Sequence, residues 1–372
     1  MRLRSTPADW CLNNRRPFGM QKNPACHNIL IVRTDRIGDV VLTTPVIAAL
    51  HARWPQARLT MLVTPLTREL VAGHPYLHEV LLDDRRGRHR GAAGFGRLVR
   101  EIRKRNFDTA IVYHTKRRTN ALCFLSGIPR RIGYRNDKWG FLLTRQIPDQ
   151  RHRGLKHEAR YCLDVLKVLG IEDGVEDIRI SIQPEAEQWA ARLLEKAGPG
   201  QKKVVVVHPD ASCPTKKWPD HRFIELMQRM RQEFSCFFII IGTPANKATA
   251  AGLMDAVKGD ILDLTGKTSV AQLVSLLRRS HLLVSNDSGP VHVAAGVGTP
   301  VVSIFTRNQP GINPERWKPL GEKSRVVAPP VDEHISFAKG RVRDPRYLEI
   351  IQVHEVFEAV DALFKLCYNQ RS

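Results

Sequence analysis

The sequence predicts an α/β protein built from two domains of similar plan, each with a parallel sheet flanked by helices. The chain has 372 residues, which is long for one average domain and suits two. Short apolar runs alternate with amphipathic stretches, a rhythm typical of strand–helix units around a parallel sheet. This alternation is interrupted near residue 175 and resumes near residue 203. A hydrophobic fraction of 42% is enough to build two packed cores.

The first half holds four apolar runs that read as buried strands, each followed by a helical pattern. The predicted strands cover 28–33, 58–63, 79–82 and 107–114. The predicted helices cover about 40–53, 66–73, 94–105, 117–126 and 155–170. Residues 1–27 are polar and precede the first strand, and we expect them to form a poorly ordered extension.

The second half repeats the pattern. Its predicted strands cover 203–208, 236–242, 260–264, 281–286 and 300–305. Its predicted helices cover 184–197, 221–232, 269–280 and about 348–366, the last packing back on one of the domains. Gly and Pro cluster near residues 175–200 and mark the boundary. The predicted division is 1–27, 28–180, 181–347 and 348–372.

Composition narrows the class of protein. The seven cysteines are scattered and form no C-x-x-C pair, which argues against a disulfide framework and against a zinc site. No D-x-D pair is present to hold a divalent ion, so we expect no metal and no other cofactor. No apolar stretch approaches the length of a membrane span or a signal peptide. We therefore expect a protein of the reducing cytosol.

Basic residues are concentrated in the first half. The formal net charge is +21, and nine Lys or Arg fall within residues 85–105. Such an excess suits an anionic partner, although a solvated surface that only keeps the chain soluble is the plain alternative. The further basic positions of this half include Arg117, Arg118 and Arg135. Nucleic acid is a poor fit, because 85–105 contains one aromatic residue, Phe95, and no recognition motif.

Ligands of parallel sheets bind at the carboxyl ends of the strands, so the loops after the strands are the places to search. The loop 34–45 follows the first strand and has a single glycine, which excludes the dinucleotide pattern G-x-G-x-x-G. It carries Asp39 at a strand-to-helix turn. This carboxylate is a candidate general base for an acceptor hydroxyl, and the alternative is a helix-capping aspartate.

Two loops of the second half carry candidates for binding a diphosphate. The loop 208–223 offers Lys216 and Lys217, which could neutralise a leaving diphosphate or could simply be solvated. The segment 281–305 places a turn and a helix start after a strand. Free N–H groups at Ser288 and Gly289 would form a phosphate seat, with His292 on the first turn. A packed or solvent-facing histidine is the alternative there.

Four motifs occur in order along the chain: D-x-I-G-D-V-x-L-T-T-P (35–45), K-x-W-P (216–219), L-T-G-K-T-S (264–269) and N-D-S-G-P-x-H-x-A-A-G-x-G-T-P-V-V (286–302). Together they resemble glycosyltransferase family 9, the heptosyltransferases of lipopolysaccharide core assembly, from about residue 28 to the C-terminal helix. The resemblance implies a GT-B arrangement, with two Rossmann-like domains facing across a cleft. It also implies an inverting transfer without a metal ion.

The same resemblance implies residue roles. Asp39 matches the catalytic aspartate and would be the general base. Lys216 would contact the donor diphosphate, and the donor pocket would be lined by Asp287, Ser288, Gly289 and His292. In the loop 242–250, where the family often has an acidic residue near the ribose, this chain offers Asn246. The basic first half, with Arg117, Arg118 and Arg135, would bind the acceptor.

The implied partners are ADP-heptose or a related nucleotide sugar and an anionic lipid A-core acceptor. Contact with the cytoplasmic face of the inner membrane is implied as well. Two alternatives remain at this point. A family member could use another sugar or acceptor, and a nucleotide-sugar epimerase or hydrolase of the same two-domain plan would turn over its donor without any acceptor.

Overall fold

The protein forms two parallel six-stranded sheets in a computed structural model that describes residues 26–330 and 348–368. The strands of the first sheet are β1 Asn28–Val32, β2 Arg58–Val63, β3 Glu79–Leu82, β4 Thr109–Val112, β5 Arg130–Tyr134 and β6 Arg145–Ile147. The strands of the second sheet are β7 Lys203–His208, β8 Cys236–Ile240, β9 Ile261–Asp263, β10 Leu282–Asn286, β11 Val301–Ile304 and β12 Ser324–Val327.

The two sheets share one topology. The first runs β3-β2-β1-β4-β5-β6, and the second runs β9-β8-β7-β10-β11-β12. In each, the chain starts in the middle, moves to one edge and then crosses to the other side. This is the doubly wound order, in which ligands bind outside the carboxyl ends of the strands where the winding reverses. The α/β fold with two Rossmann-like sheets is therefore confirmed.

Helices cover both sheets. They are α1 Ile37–Val41, α2 Thr44–Arg53, α3 Gly91–Arg103, α4 Arg117–Leu125, α5 Glu158–Asp164, α6 Pro184–Ala197, α7 Asp220–Glu233, α8 Lys247–Val257, α9 Val270–Arg278, α10 Gly289–Gly296, α11 Pro314–Trp317 and α12 Val353–Tyr368. None of the helices in the described residues has both the length and the apolar character needed to cross a bilayer.

Three apolar clusters hold this architecture together. One lies on the outer face of the first sheet, around Leu98 and Leu122, and another on the outer face of the second sheet, around Phe223 and Phe238. The largest joins the inner faces of both sheets in one continuous core that includes Ile31. Because apolar burial is continuous between the sheets, the cleft loops of the two halves are held against each other.

The predicted strands all form, with ends trimmed by at most three residues. Three strands were not predicted: β5, β6 and β12. Each is short and occupies the outer half of its sheet, and β5 begins with Arg130 and Arg131, so none shows the apolar run of a central strand.

The predicted helix 40–53 is wrong as a single element, because the structure divides it into α1 and α2. Pro45 has no N–H to donate to the carbonyl of Val41, so the helical bond pattern breaks there. The Thr44 hydroxyl donates to that carbonyl instead, at 2.8 Å. The Thr43 hydroxyl donates to the carbonyl of Asp39, also at 2.8 Å. The break gives Asp39 a short helix of its own at the strand end.

Three other predictions need smaller corrections. The helix predicted at 66–73 is a 3-10 helix, Pro65–Leu70, and the one at 155–170 is α5 followed by the 3-10 helix Val165–Leu169. The loop taken as 242–250 ends at Asn246, since Lys247 begins α8.

The chain ends and the connector complete the picture. Of the extension 1–27, residues 1–25 lie outside the described residues, while Cys26 is buried and the His27 N–H donates to Asp108. Residues 171–183 have no regular secondary structure and link the sheets, and the boundary at 180/181 stays a prediction. The C-terminal helix α12 packs on the second sheet through Val356 and Val360, as expected of a helix returning to one domain.

Candidate active site

Three carboxylates surround one buried arginine at the end of β1, two from the segment that follows the strand and one, Glu158, from α5. Arg33 follows β1 directly, and its side chain is only 2% exposed. Its guanidinium pairs with Asp39, lies 3.0 Å from an oxygen of Asp35 and donates to Glu158 at 3.2 Å. The contact with Asp35 lacks hydrogen-bond alignment, so Asp39 and Glu158 are its directed partners. Asp39 is thereby fixed at the end of β1.

Glu158 carries this network into the second half of the chain. The carboxylate of Glu158 is 1% exposed and accepts from Arg316 of α11 at 2.9 and 2.7 Å. Arg316 also donates to the carbonyl of Arg151 at 2.9 Å. An unbroken line of ion pairs therefore runs from Asp39 through Arg33 and Glu158 to Arg316, with partners from both halves.

The same surroundings separate the acidities of the two aspartates on this loop. Burial raises the pKa of Asp35 to about 6, with the negative charge of Asp39 adding to the effect. Asp39 is also desolvated, yet the charge and hydrogen bond of Arg33 hold the pKa of its carboxyl below the ordinary value. Asp39 is thus the more acidic member of the pair, and its carboxylate is charged at neutral pH.

The loop after β7 positions its two lysines differently. Lys216 forms an ion pair with the buried Asp287, which follows β10. Lys217 turns away and contacts Asp220 at 3.0 Å and the Thr249 hydroxyl at 3.2 Å. The structure therefore separates two neighbours that residue chemistry alone did not distinguish, and only Lys216, the lysine that the resemblance selects, reaches the end of β10.

Asn286 connects these two loops and was not singled out from the sequence. Its side chain is fully buried, accepts from the Trp218 N–H at 2.9 Å and donates to the carbonyl of Pro209 at 2.8 Å. Trp218 is itself fully buried, and its indole N–H donates to the carbonyl of Ile351 at 3.0 Å. These bonds fix where the Lys216 loop lies.

The N-terminus of α10 lies beside the ends of β7 and β10, where the loops with Lys216 and Asp287 begin. Ser288 precedes the helix, and its hydroxyl lies 3.1 Å from Nδ1 of His208 and 3.0 Å from the hydroxyl of Ser285. Burial lowers the pKa of His208 to about 4, so this ring is neutral. With His208 neutral and Asp287 paired with Lys216, the local charges at the positive end of the helix dipole balance, which leaves the dipole available to an anion.

His292 occupies the first turn of α10 and is buried. Burial lowers the pKa of His292 to about 3, with the charge of Lys216 adding to the effect and that of Asp39 opposing it. Its Nδ1 is buried and has no hydrogen-bond partner. Of the two alternatives taken from the sequence, the solvent-facing one is wrong. His292 is a neutral buried ring within electrostatic reach of both Asp39 and Lys216.

Two glycines bring α1 and α10 into direct contact across the cleft. A Cβ added to Gly38 would lie 2.7 Å from Cδ2 of His292, closer than real side chains approach. A Cβ added to Gly289 would lie 3.1 Å from Cβ of Ile37. A side chain at Gly38 would clash with the His292 ring, and one at Gly289 would require Ile37 to shift by a few tenths of an ångström. The short helix that carries Asp39 and the N-terminus of α10 are consequently held against each other.

The comparisons with known proteins fit this geometry. The model of glycosyltransferase family 9 (heptosyltransferase) matches residues 95–345. The chain belongs to this family. It is therefore a glycosyltransferase, and its two facing sheets are a GT-B fold.

Relatives of this glycosyltransferase span nearly its whole length. Lipopolysaccharide heptosyltransferase 2 of Escherichia coli is 23% identical over 353 residues, which is 90% of this chain and 98% of the relative. A family 9 structure from Veillonella parvula superposes with a TM-score of 0.80 at 24% identity and covers 91% of this chain and 97% of that one. An E. coli heptosyltransferase WaaC solved with ADP-2-deoxy-2-fluoro heptose gives a TM-score of 0.65 at 18% identity and covers 90% and 99%.

The structure groups most of the donor-side residues predicted for the glycosyltransferase. Lys216, Asp287, Ser288, Gly289 and His292 lie around the start of α10. Asn246 lies apart, on the loop after β8, where its side-chain oxygen accepts from the Thr243 N–H at 2.9 Å. Its predicted contact with the donor stays a prediction. In the described part of the chain, no group of His, Cys, Asp or Glu is arranged to hold a metal ion.

The three arginines predicted for the acceptor do not share one site. Arg118 donates to the buried Asp83 at 2.7 and 3.1 Å, an inward contact that fixes its guanidinium. Arg117 is exposed and lies over the ring of Trp139, at 5.9 Å. Arg135 lines a separate groove of about 400 Å³ beside β6. Their roles stay predictions, with Arg118 the most constrained.

Sequence reasoning missed several residues beside Asp39. The His114 ring follows β4 and lies 2.9 Å from the Thr34 hydroxyl, to which Arg85 donates at 2.6 Å. Burial, with the charge of Arg85, lowers the pKa of His114 to about 4. One signal was available for Arg33: a charged residue closing an apolar strand needs buried partners. No such pattern marked Glu158.

Proposed function

We propose that this protein transfers heptose from ADP-heptose to the inner core of lipopolysaccharide, with inversion at the anomeric carbon and without a metal ion. The observation that supports this proposal best is the direct contact of α1 with α10, because it brings the helix of the proposed base, Asp39, against the helix whose N-terminus would bind the diphosphate. Lipopolysaccharide heptosyltransferase 2 of E. coli, which this chain matches over most of its length, supports the choice of sugar and acceptor.

In the proposed reaction Asp39 takes the proton of the acceptor hydroxyl as that oxygen attacks the anomeric carbon. A new carbon–oxygen bond forms on one face of the sugar while the bond to the diphosphate breaks on the other, which inverts the configuration. Proton removal of this kind typically accelerates transfer by roughly 10²–10⁴-fold. The electron pair of the broken bond leaves on ADP.

The departing diphosphate gains negative charge that this chain would balance with its own groups. Lys216 supplies a cation, and the free N–H groups before α10 supply the positive end of a helix dipole. His292 is neutral, so it would act as a hydrogen-bond donor and not as a charge. The ion pair with Asp287 holds Lys216 in place before the donor arrives.

The acceptor would be the anionic lipid A-core, bound on the first domain while the protein contacts the cytoplasmic face of the inner membrane. The basic excess of the first half supports this, because phosphates and acidic sugars favour cationic surroundings. Acceptor affinity should then fall steeply with added salt, whereas donor affinity, set by enclosed contacts, should change little.

The test is transfer with purified components. Enzyme, ADP-heptose and a heptose-deficient lipopolysaccharide should release ADP and yield a product one heptose heavier by mass spectrometry, with the inverted anomer by NMR and unchanged rates in a chelator. Rapid loss of ADP-heptose without acceptor would favour an epimerase or hydrolase.

A second test uses cells that lack the protein. Their lipopolysaccharide core should end one heptose short, and a full-length core would contradict the proposal.

A further inference from the structure

Four large apolar side chains lie exposed together on one side of the first domain. Phe124 and Leu125 end α4 and are 46% and 45% exposed, while Trp139 and Phe141 lie between β5 and β6 and are 44% and 76% exposed. A soluble surface rarely leaves several large apolar groups open in one place without a partner. These four residues and the two arginines next to them, Arg117 and Arg131, are called here the α4 surface.

Arginine contacts make the α4 surface continuous. Arg131 lies 5.3 Å from the ring of Phe124 and donates to the carbonyl of Leu142 at 2.7 Å, which ties the end of α4 to the segment of Phe141. At the other end Arg117 lies over the ring of Trp139. The amide of Asn120 donates to the carbonyl of Lys138 at 2.8 Å and anchors that segment to α4.

Trp139 is held in a costly backbone conformation. Its φ is +62°, in the left-handed region that a bulky residue seldom occupies. Such conformations are unfavourable and persist where the surroundings enforce them, often at functional positions. Asn120 and Asn136 provide that enforcement here, since Asn136 accepts from the Lys138 N–H at 3.0 Å. The fold therefore fixes an aromatic ring at the surface instead of burying it.

Charge around the α4 surface selects an anionic partner. Residues 117–145 contain seven Lys or Arg and one acidic residue, Asp137. A second copy of this basic chain would be repelled by its own rim. Aromatic rings and arginines on one face are typical of protein segments that lie at the headgroup level of a bilayer. Leu125 favours lipid over nucleic acid, because an aliphatic side chain cannot stack on a base.

The position of the α4 surface relative to the candidate active site fits the same partner. Helix α4 starts beside His114, whose ring contacts Thr34, the residue that follows Arg33. Its nine residues extend about 13 Å away from this point. A bilayer lying along α4 would meet the cleft at the end where Arg117 and Trp139 lie. Sugars that emerge from the headgroups could reach Asp39 from there.

We propose that the α4 surface docks on an anionic bilayer, inserting Trp139, Phe141, Phe124 and Leu125 among the headgroups. In the proposed function the bilayer supplies the acceptor, so the biological meaning of the docking rests on the proposed function. Binding itself requires no transfer, and the two can be tested separately.

Vesicle sedimentation with the full chain tests the docking. The protein should bind vesicles of phosphatidylethanolamine and phosphatidylglycerol, bind neutral phosphatidylcholine weakly, and release with salt. Trp139→Ser/Phe141→Ser should weaken binding at least about tenfold, because two inserted rings are lost. Lys138→Glu/Arg145→Glu, which alters charge alone, should weaken it as well. The control Val175→Ser/Ile350→Ser changes apolar side chains that are exposed outside the α4 surface and should bind like the parent.

Three outcomes would overturn the docking proposal. The first is vesicle binding equal to that of the parent in both Trp139→Ser/Phe141→Ser and Lys138→Glu/Arg145→Glu. The second is that the parent is a dimer, that Trp139→Ser/Phe141→Ser makes it a monomer, and that vesicle binding does not change. The α4 surface would then serve self-association. The third would be tight binding of single-stranded oligonucleotides that the same variant abolishes. A melting temperature within a few degrees of the parent shows that each variant is folded.

A transfer assay separates this proposal from the proposed function. With an acceptor stripped of its acyl chains, Trp139→Ser/Phe141→Ser should work like the parent, and with acceptor in vesicles it should be several-fold slower. Equal rates for parent and variant in vesicles would contradict the docking. If the parent makes no product in either format while the vesicle-binding pattern holds, the proposed function fails and the docking surface stands.

Discussion

Arg33 and Asp39 form an ion pair whose arginine is almost wholly enclosed by protein. Asp35 and Glu158 share this guanidinium with Asp39, so three carboxylates surround one cation. A buried cation of this kind holds several anions that would otherwise repel one another. The position and the ionisation of the proposed base therefore both depend on a residue that does not itself face the cleft.

Replacing Arg33 with Met should lower the free energy of unfolding by about 3–5 kcal/mol, because buried carboxylates lose their cation. Urea denaturation followed by circular dichroism measures this. Lys365→Met is the control, since that lysine pairs with Asp361 on an exposed helix face and should change the value by less than about 0.5 kcal/mol. Equal losses in the two variants would mean that the buried network contributes no more than a surface pair.

Asp39→Asn should remove most turnover, by roughly 10²–10⁴-fold, while the dissociation constant for ADP-heptose stays near the parent value. The amide keeps the shape of the side chain but cannot accept the hydroxyl proton. Steady-state rates and calorimetric donor titration give the two quantities. Asp35→Asn is the matched control on the same loop, and greater loss there than in Asp39→Asn would transfer the role of base to Asp35.

Catalytic efficiency should fall as the pH drops below about 6. Asp35 takes up a proton there, since its pKa is raised to about 6. Asp39 stays ionised but becomes a weaker base once this neighbouring negative charge is lost. In Asp35→Asn a neighbouring negative charge is gone, so the acid limb of kcat/KM should move to lower pH. A pH profile that is identical in parent and Asp35→Asn would show that the pair does not control the rate.

Lys216→Met should weaken donor binding by about 10- to 150-fold, the loss expected when a charged hydrogen bond to a phosphate is removed. Lys217→Met should leave it nearly unchanged, because Lys217 is paired with Asp220 and faces away. Titration with ADP-heptose compares two adjacent lysines of the same loop. If both variants lose affinity equally, the effect is general electrostatics and not a specific contact.

Gly38→Ala should lower stability by about 1–3 kcal/mol and reduce turnover, because the added methyl would force α1 away from His292. Gly96→Ala is the opposite case within α3, where nothing lies within 4 Å of the new methyl. It should raise stability by about 0.5–1 kcal/mol through its effect on helix propensity. Unfolding curves measure the stability of both variants, and initial rates measure their turnover. If Gly38→Ala keeps the stability and turnover of the parent, the close contact of α1 with α10 is not required.

Much of the fold was legible in the sequence, for an identifiable reason. Central strands of a parallel sheet are buried on both faces and appear as continuous apolar runs, as β7 does with four successive valines. The edge strands β6 and β12 bury less, and β5 begins with two arginines, so none of the three shows such a run and all were missed. Pro45 could have predicted that helix 40–53 is divided, but the apolar residues on both sides of it keep a helical spacing and indicated one continuous helix.

The sequence by itself determined the two-sheet plan, the strand ends where ligands bind, and the identities of Asp39, Lys216 and the α10 residues as candidates. These are local properties, since apolar spacing, a proline or a glycine acts on its near neighbours. Only the tertiary structure decided that Lys216 and not Lys217 meets Asp287, that Glu158 reaches Arg33, and that α1 touches α10. Each of these pairs joins residues far apart in the chain, and such contacts are set by how the sheets pack, which no local pattern of residues encodes.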